Sequence, residues 1–326
     1  MESVSKMVPD NIPLSDIQDA KCRMEGQIMK TPLVPLNYDV KHGKVYLKLE
    51  NLQPIGSFKL RGACNAIQQI STKKLKASGV YTTSAGNFAQ GLAWNTNKLN
   101  IPCDVLVPDH APKAKLEAIE RLNGQVHKVT FDVWWKALQD HNYEGMKGVF
   151  IHPVSDKSVI AGNGTIGLEI FDDLPDIDAV IIPFGGGGLT CGIGSALKAL
   201  KPNIKVYTCE VDTAAPLKAS LDLGKPTTCN YQPSFIDGMG GKSVLPEMWP
   251  LIQNIVTDSL VVTVQEVANA VKLLAEKNHV IAEGAGAAAV AAALSGKVEG
   301  NIVCIISGGN LDTDKLIQIL QGQIPT

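Results

Sequence analysis

Short apolar segments alternate with segments of helical periodicity along most of the chain, and this alternation limits the possible folds most strongly. The apolar segments with the length of strands lie at 45–49, 80–83, 103–107, 126–129, 179–183, 205–210 and 302–307. Helical patterns lie at 62–70, 88–98, 112–122, 132–141, 192–200, 264–276 and 283–294. Strands that are apolar throughout are typical of sheets covered on both faces. The sequence therefore predicts an α/β fold with a mostly parallel sheet between layers of helices.

Composition and charge exclude several classes of protein. The 326 residues exceed one typical core, which favours two domains, and the net charge of −2 gives no general attraction to nucleic acid or to an anionic membrane. The seven cysteines are scattered without a Cys-x-x-Cys pair, so neither a disulfide framework nor a zinc site is expected. The first 21 residues are polar, and the most apolar stretch, 280–294, is too short to span a bilayer. We expect a cytoplasmic protein.

The glycine run Gly185–Gly188 follows the apolar strand at 179–183 and precedes a helix. Consecutive glycines let backbone N–H groups converge, and the positive end of the following helix adds to the attraction for an anion. This pattern favours a phosphate site over a plain flexible turn. A dinucleotide site stays open on this segment alone, because Glu210 has the spacing of the acidic residue such sites use.

Two further loops combine a strand end with polar side chains. Ser84, Ala85, Gly86 and Asn87 follow the strand at 80–83, and such a helix start suits a carboxylate, although it also reads as an ordinary helix cap. Ser307–Asn310 follows the last strand, where Ser307 offers a neutral hydroxyl. Loops at the carboxyl ends of strands are where α/β folds bind their ligands.

Lys59 lies between apolar residues just before a helical segment. A lysine in such a position is usually a solvated charge. Combined with a glycine-rich phosphate site, however, it supplies what an enzyme needs to bind pyridoxal 5′-phosphate (PLP) through an amine.

Taken together, these segments resemble the fold type II (β-family) PLP enzymes, in particular the threonine and serine dehydratases and the serine racemases. The resemblance rests on SFKLRGA at 57–63, SAGNFAQG at 84–91, NGTIGLEI at 163–170, the tetraglycine loop and SGGN at 307–310. It implies a tryptophan synthase β-like fold of two α/β domains with parallel or mixed sheets. Residues 1–80 and 156–326 would form the large PLP-binding domain, and residues 81–155 a small Rossmann-like domain. It also implies a homodimer.

The resemblance also implies a role for each matching residue. Lys59 would hold PLP as a Schiff base and move the Cα proton, with Phe58 packed near the ring. Asn87 would bond the 3′-oxygen of the cofactor, and Ser307 would face the pyridine nitrogen. The cofactor phosphate would be bound by Gly185, Gly186, Gly187, Gly188 and Leu189, and the substrate carboxylate by Ser84, Ala85, Gly86 and Asn87.

The implied reaction is β-elimination from a small β-hydroxy amino acid, L-threonine or L-serine, to a 2-oxo acid and ammonia. Two departures from the family pattern bear on it. Ala85 stands where the racemases have a second serine, and a methyl group cannot transfer a proton, which favours a dehydratase. Phe88 replaces the usual histidine, so a bulkier substrate such as phenylserine stays open. An amino-acid racemase and a dehydratase of 3-hydroxyaspartate are the remaining alternatives within the family.

Other readings of the sequence are weaker. Related racemases bind a divalent cation through a Glu and an Asp; Glu210 matches the first, but Pro216 stands in place of the second, so no metal is predicted. No role is assigned to Asp237 or Gly238. A nicotinamide oxidoreductase would explain neither Lys59 nor Ser307. A catalytically silent PLP-binding protein would have the same motifs without turnover.

Overall fold

Two separate sheets organise the chain in a computed structural model, which describes residues 11–111 and 113–325. The strands are β1 Leu33–Pro35, β2 Gly43–Lys48, β3 Val80–Thr83, β4 Cys103–Pro108, β5 Gln125–Val129, β6 Val149–Phe150, β7 Ala179–Pro183, β8 Lys205–Val211, β9 Asp258–Val262 and β10 Gly300–Ile305. The first sheet has the order β1-β2-β10-β7-β8-β9 and is parallel except for β1. The second has the order β5-β4-β3-β6 and is parallel throughout.

Helices cover these sheets. They are α1 Leu14–Arg23, α2 Lys59–Gln68, α3 Thr72–Ser78, α4 Asn87–Lys98, α5 Lys113–Glu120, α6 Phe131–Gln139, α7 Lys157–Asp173, α8 Gly188–Leu200, α9 Pro216–Leu223, α10 Trp249–Ile255, α11 Val264–Leu273, α12 Gly284–Leu294 and α13 Thr313–Leu320. One π turn, Leu274–Asn278, continues α11, and short 3-10 turns lie at Glu50–Leu52 and Pro246–Met248. None of the helices described is long and apolar enough to cross a membrane.

The architecture confirms the predicted fold class of two α/β units with parallel or mixed sheets. The core of the larger sheet is dense, since every residue of β7 is buried and α12 is buried along almost its whole length. Alanine dominates α12, so this helix packs closely against the sheet. All strands of the second sheet lie between residues 80 and 150. The predicted domain limits at residues 81 and 155 stay a prediction.

Helix starts differ from the sequence-based expectation at two places that matter for the site. The helix expected at 62–70 begins at Lys59, and the helix expected at 192–200 begins at Gly188. Glycine has a low helix propensity, and for that reason the sequence pattern placed the second start too late. Both Lys59 and the last glycine of the tetraglycine run are therefore first residues of helices. The helix expected at 112–122 is observed as α5; Pro112 lies outside the described residues.

A buried network of ion pairs fixes the position of α2. Arg61 donates to both oxygens of Glu50 at 2.8 Å, and its Nη1 donates to Glu169 at 2.6 Å. Lys48 on β2 donates to the other oxygen of Glu169 at 2.6 Å. Although burial acts to raise the pKa of Glu50, the Arg61 guanidinium lowers it overall. The network joins β2, α2 and α7. It fixes Arg61, which lies two residues after Lys59 on the same helix.

Candidate active site

A cleft of about 540 Å³ is lined mainly by residues of loops and helices that adjoin the two sheets. Its walls include Lys59 at the start of α2, the loop at 84–87 after β3, and Ser307 after β10. The volume lies in the usual range of small-molecule sites. The cleft therefore brings together Phe58, Lys59, Ser84, Ala85, Gly86, Asn87 and Ser307 from the predicted site.

The amine of Lys59 lies between two aromatic rings. Its Nζ is 5.1 Å from the centroid of the Phe58 ring and 5.8 Å from that of Phe88, and it donates to the carbonyl of Pro153 at 3.5 Å. Burial lowers the pKa of Lys59 to about 8, although the Glu283 carboxyl acts in the opposite direction. An amine with such a pKa is partly unprotonated near neutral pH, and it can then act as a nucleophile or as a base.

Backbone contacts hold the Lys59 segment against the last loop of the large sheet. The amide of Phe58 donates to the carbonyl of Ser307 at 3.0 Å, and Ser57 forms a β-bridge with Gly308. Ser307 is itself buried, with 3% of its surface exposed. These contacts explain how residues some 250 positions apart in sequence share one wall of the cleft.

Asn87, the first residue of α4, links the two halves of the cleft. Its Nδ2 donates to both oxygens of Glu283, at 3.0 and 3.3 Å, and its Oδ1 accepts from Asn310 at 2.9 Å. Phe88 beside it is 1% exposed and packs in the core of the smaller sheet as well as lining the cleft. Phe88, which stands in place of the family's histidine, thus adds an apolar surface to the cleft from a position packed in the core.

The tetraglycine loop and Leu189 do not line this cleft directly. A turn at 152–155 contacts both segments: the carbonyl of Pro153 accepts from Lys59, and Val154 lies against the glycine loop. A Cβ on Gly186 would lie 2.6 Å from the Val154 side chain, and one on Gly188 would lie 2.7 Å from its carbonyl oxygen. Glycine is therefore required at both positions by close approach of the turn.

The turn at 152–155 is shaped by a buried histidine. Nδ1 of His152 accepts from the amides of Val154 and Ser155, at 3.1 and 2.8 Å. An acceptor Nδ1 places the single proton of the neutral ring on Nε2. Burial lowers the pKa of His152 to about 3, so the ring stays neutral. His152 thus fixes the turn that touches both Lys59 and the glycine loop.

His141, His152 and Glu247 lie close enough together to suggest a metal site. The tautomer of His152 argues against it, because its Nδ1 is used by two amides and its Nε2 carries a proton. Glu210 is used differently as well: its carboxylate accepts from the amides of Leu217 and Lys218, both at 2.7 Å, and so caps α9.

Glu283 is a residue of the cleft that the sequence did not single out. The pKa of Glu283 is raised to about 7, mainly by burial and also by the nearby Asp237 carboxylate. The hydrogen bond from Asn87 acts to lower this pKa. Lys115 and Lys59 also act to lower it. The signal in the sequence was faint: Glu283 is the one charged side chain between Val280 and Gly296, at the start of an alanine-rich helix.

The raised pKa of Glu283 predicts a pH-dependent stability for the cofactor-free protein. In the folded state this carboxyl keeps its proton up to about pH 7, whereas in the unfolded chain it ionises near 4.5. The contribution of this group to the free energy of unfolding is therefore complete below pH 4.5 and is lost as the pH rises to 7. The loss amounts to about 3 kcal/mol at 1.36 kcal/mol per pKa unit.

Urea unfolding at pH values from 5 to 8 tests this prediction. Glu283→Gln stays neutral and keeps an oxygen that accepts from Asn87, so this variant should gain stability over the wild type as the pH rises to 7. Above that pH the difference should be constant. Glu25→Gln, which changes an exposed carboxyl just after α1 with no side-chain partner among the described residues, is the control and should show no such trend. A difference between Glu283→Gln and the wild type that does not vary with pH would contradict the assignment.

Comparison with known proteins identifies the family. The family model described as "Pyridoxal-phosphate dependent enzyme" matches residues 24–308. The chain is 38% identical to the L-threonine ammonia-lyase of Thermotoga maritima, over 95% of this chain and 78% of that protein. It is 39% identical to the catabolic L-threonine dehydratase TdcB of Escherichia coli K12, over 94% of this chain and 96% of that protein. The structure of maize serine racemase matches with a TM-score of 0.86 at 30% identity, over 95% of this chain and 97% of that one.

The chain therefore belongs to the pyridoxal-phosphate dependent enzyme family, with the fold of its type II members. The residues present fit the cofactor. A half-buried amine of lowered pKa lies in the cleft, which suits an aldehyde. The first turn of α8 offers unpaired amides to an anion, and the buried hydroxyl of Thr190 in that turn has no partner among the described residues.

Proposed function

We propose that this protein eliminates the β-hydroxyl of L-threonine or L-serine with the help of PLP and releases a 2-oxo acid and ammonia. The observation that carries the proposal is the amine of Lys59, enclosed by Phe58 and Phe88 in the same cleft as the loop at 84–87. Relatives named for L-threonine, at 38% and 39% identity over nearly the whole chain, support this substrate class.

We assign the cofactor contacts as follows. Lys59 supplies the amine to which the aldehyde attaches, and Phe58 packs near the ring. Asn87 bonds the 3′-oxygen, and the hydroxyl of Ser307 faces the pyridine nitrogen. Gly185–Gly188 and Leu189 bind the phosphate at the N-terminus of α8. When bound, PLP supplies an electron sink that stabilises negative charge at the substrate Cα.

The protein residues then direct the reaction. The amides of Ser84–Asn87 at the start of α4 bind the substrate carboxylate and orient Cα toward the cofactor. The unprotonated amine of Lys59 takes the Cα proton. The β C–O bond breaks, and the hydroxyl leaves as water with a proton that balances the one Lys59 removed from Cα. Hydrolysis of the released enamine returns one water, so the net change is the hydroxy amino acid to a 2-oxo acid plus ammonia.

Ala85 and Ser307 favour elimination over the competing reactions. Ala85 lines the cleft and has no group that could return a proton to the face opposite Lys59, as a racemase requires. A serine hydroxyl does not stabilise a positive charge on the pyridine nitrogen as a carboxylate would. Charge at Cα is then less delocalised, which favours prompt loss of the β-hydroxyl over transamination.

Three further assignments complete the proposal. Residues 1–80 and 156–326 form the large domain and residues 81–155 the small one, which the position of the second sheet between residues 80 and 150 supports. The protein is a homodimer in the cytoplasm. The dimer rests on the family resemblance alone, and the location rests on the composition and the N-terminal sequence.

The test is 2-oxo acid formation from L-threonine and from L-serine by the purified protein with PLP. We expect one ammonia for each 2-oxo acid formed, from at least one of the two substrates. The second candidate function is that of a racemase, which the similarity to maize serine racemase favours. Chiral analysis of the serine that remains after incubation distinguishes this function from elimination. Accumulation of D-serine without a 2-oxo acid would overturn the assignment.

A further inference from the structure

Aromatic side chains of α6 form part of the cleft wall. Phe131 and Trp134 both line the cleft, with their ring centroids 5.7 Å apart, and the imidazole of His110 lies 6.0 Å from Phe131. We call Phe131 and Trp134 the aromatic wall. The same cleft contains Lys59 and the loop at 84–87, so the aromatic wall belongs to the space a substrate would enter.

The aromatic wall is not part of the protein core. Phe131 and Trp134 belong to none of the hydrophobic clusters formed by the described residues, and Phe131 is 39% exposed. The residues by which α6 is buried are Ala137 and Leu138 instead. Nε1 of Trp134 is enclosed yet has no hydrogen-bond partner in the described parts of the chain.

Charges of both signs lie near the aromatic wall. Lys115 also lines the cleft, but its amine is paired with Asp237 at 2.6 Å. Arg121 and Asp312, both in the lining, bring opposite charges. The amine of Lys242 also lies 5.7 Å from the centroid of the Phe131 ring. Beside these mixed charges, the two aromatic rings offer stacking to a planar apolar group.

We propose that Phe131 and Trp134 form a subsite for an aromatic β-substituent, so that the substrates include aryl β-hydroxy amino acids such as phenylserine. The inference rests on the proposed function, since the same Lys59 amine takes the Cα proton. The β-hydroxyl leaves as water, and hydrolysis gives phenylpyruvate and ammonia. L-Threonine, with a methyl group in place of the ring, leaves this subsite unfilled.

The test compares wild type with Trp134→Ala and a matched control, Trp135→Ala. Trp135 stacks on Phe131 in the same cluster, at 6.4 Å and 6°, but does not line the cleft. The ratio of kcat/KM for threo-phenylserine to kcat/KM for L-threonine should fall about tenfold in Trp134→Ala, since an aromatic contact is lost. It should stay within about twofold of wild type in Trp135→Ala.

Binding of an unreactive probe gives a second readout. 3-Phenyllactate has the carboxylate and the ring but no amine, and lactate lacks the ring. Calorimetry on the holoenzyme should show at least about tenfold tighter binding of 3-phenyllactate than of lactate. This preference should be lost in Trp134→Ala and kept in Trp135→Ala.

The outcomes separate the two proposals. Turnover of L-threonine without turnover of phenylserine, equal binding of the two probes, or an unchanged ratio in Trp134→Ala would overturn the aromatic subsite and leave the proposed function intact. A preference for 3-hydroxyaspartate over phenylserine would also overturn it. Absence of a 2-oxo acid from every substrate would overturn the proposed function itself.

Discussion

Replacing Lys59 by alanine is expected to lower 2-oxo acid formation by about 10³-fold or more, while the protein stays folded. The variant loses the amine that attaches the cofactor and the base that removes the Cα proton, and positioned proton transfer alone accounts for about 10²–10⁴-fold in rate. The amine makes only a long hydrogen bond, 3.5 Å to the carbonyl of Pro153, and its lowered pKa indicates that burial disfavours its charged form, so its removal should cost the fold little stability.

Steady-state assays measure the loss of 2-oxo acid formation, and thermal unfolding of the cofactor-free proteins measures whether the variant stays folded. Lys76→Ala, at an exposed position on α3, is the matched control and should keep wild-type turnover. The unfolding midpoint of Lys59→Ala should not lie below that of the wild type. Full activity in Lys59→Ala would end the proposed mechanism.

Replacing Arg61 by leucine is expected to destabilise the protein by about 3–5 kcal/mol. The guanidinium neutralises Glu50 and Glu169, both buried, and its removal leaves Glu50 without a cationic partner in direct contact. Glu169 retains only Lys48. Because α2 begins at Lys59, loosening of this helix should also weaken PLP binding.

Urea unfolding checks the size of the effect against an exposed ion pair. Lys21→Ala breaks the pair between Lys21 and Asp172, whose side chains are 51% and 52% exposed, and should cost less than about 1 kcal/mol. An equal, small cost for Arg61→Leu and Lys21→Ala would contradict the account of the buried network.

The sequence predicted the interior strands well and the edge strands poorly. The seven predicted strands are all present, with ends shifted by at most two residues. The three that the sequence did not reveal, β1, β6 and β9, are all edges of their sheets. Edge strands are short and paired on one side only, so they need no long apolar run, and periodicity does not distinguish them from loops.

Helix α7 shows how tertiary packing overrides local propensity. It contains Gly162, Gly164 and Gly167, which disfavour a helix in isolation. A Cβ on Gly164 would lie 2.9 Å from the carbonyl oxygen of Gly192 on α8, and one on Gly167 would lie 2.8 Å from that of Ile193. The glycines permit the two helices to approach closely, a requirement that is visible only when both are in place.

The motif residues that line the cleft could be selected from the sequence because each lies at a strand end or a helix start. The roles assigned to them, and to Gly185–Gly188 and Leu189 outside this cleft, stay predictions. The neighbours that tune the site could not be selected in this way. Glu283 reaches Asn87 across 196 positions, Pro153 reaches Lys59 across 94, and Trp134 meets the cleft from a helix without any motif. Such contacts depend on how separate elements pack, and local sequence patterns do not predict them.

The most direct test of the central claim is borohydride reduction of the purified protein with PLP, followed by peptide mapping. A covalent bond between the cofactor aldehyde and an amine becomes irreversible on reduction and adds the mass of the pyridoxyl group to the peptide that carries it. We expect reduction to abolish the visible absorption band of the PLP-bound protein and to leave the added mass on Lys59. A protein that shows no such band with PLP, or a label found on another lysine while Lys59 stays unmodified, would contradict it.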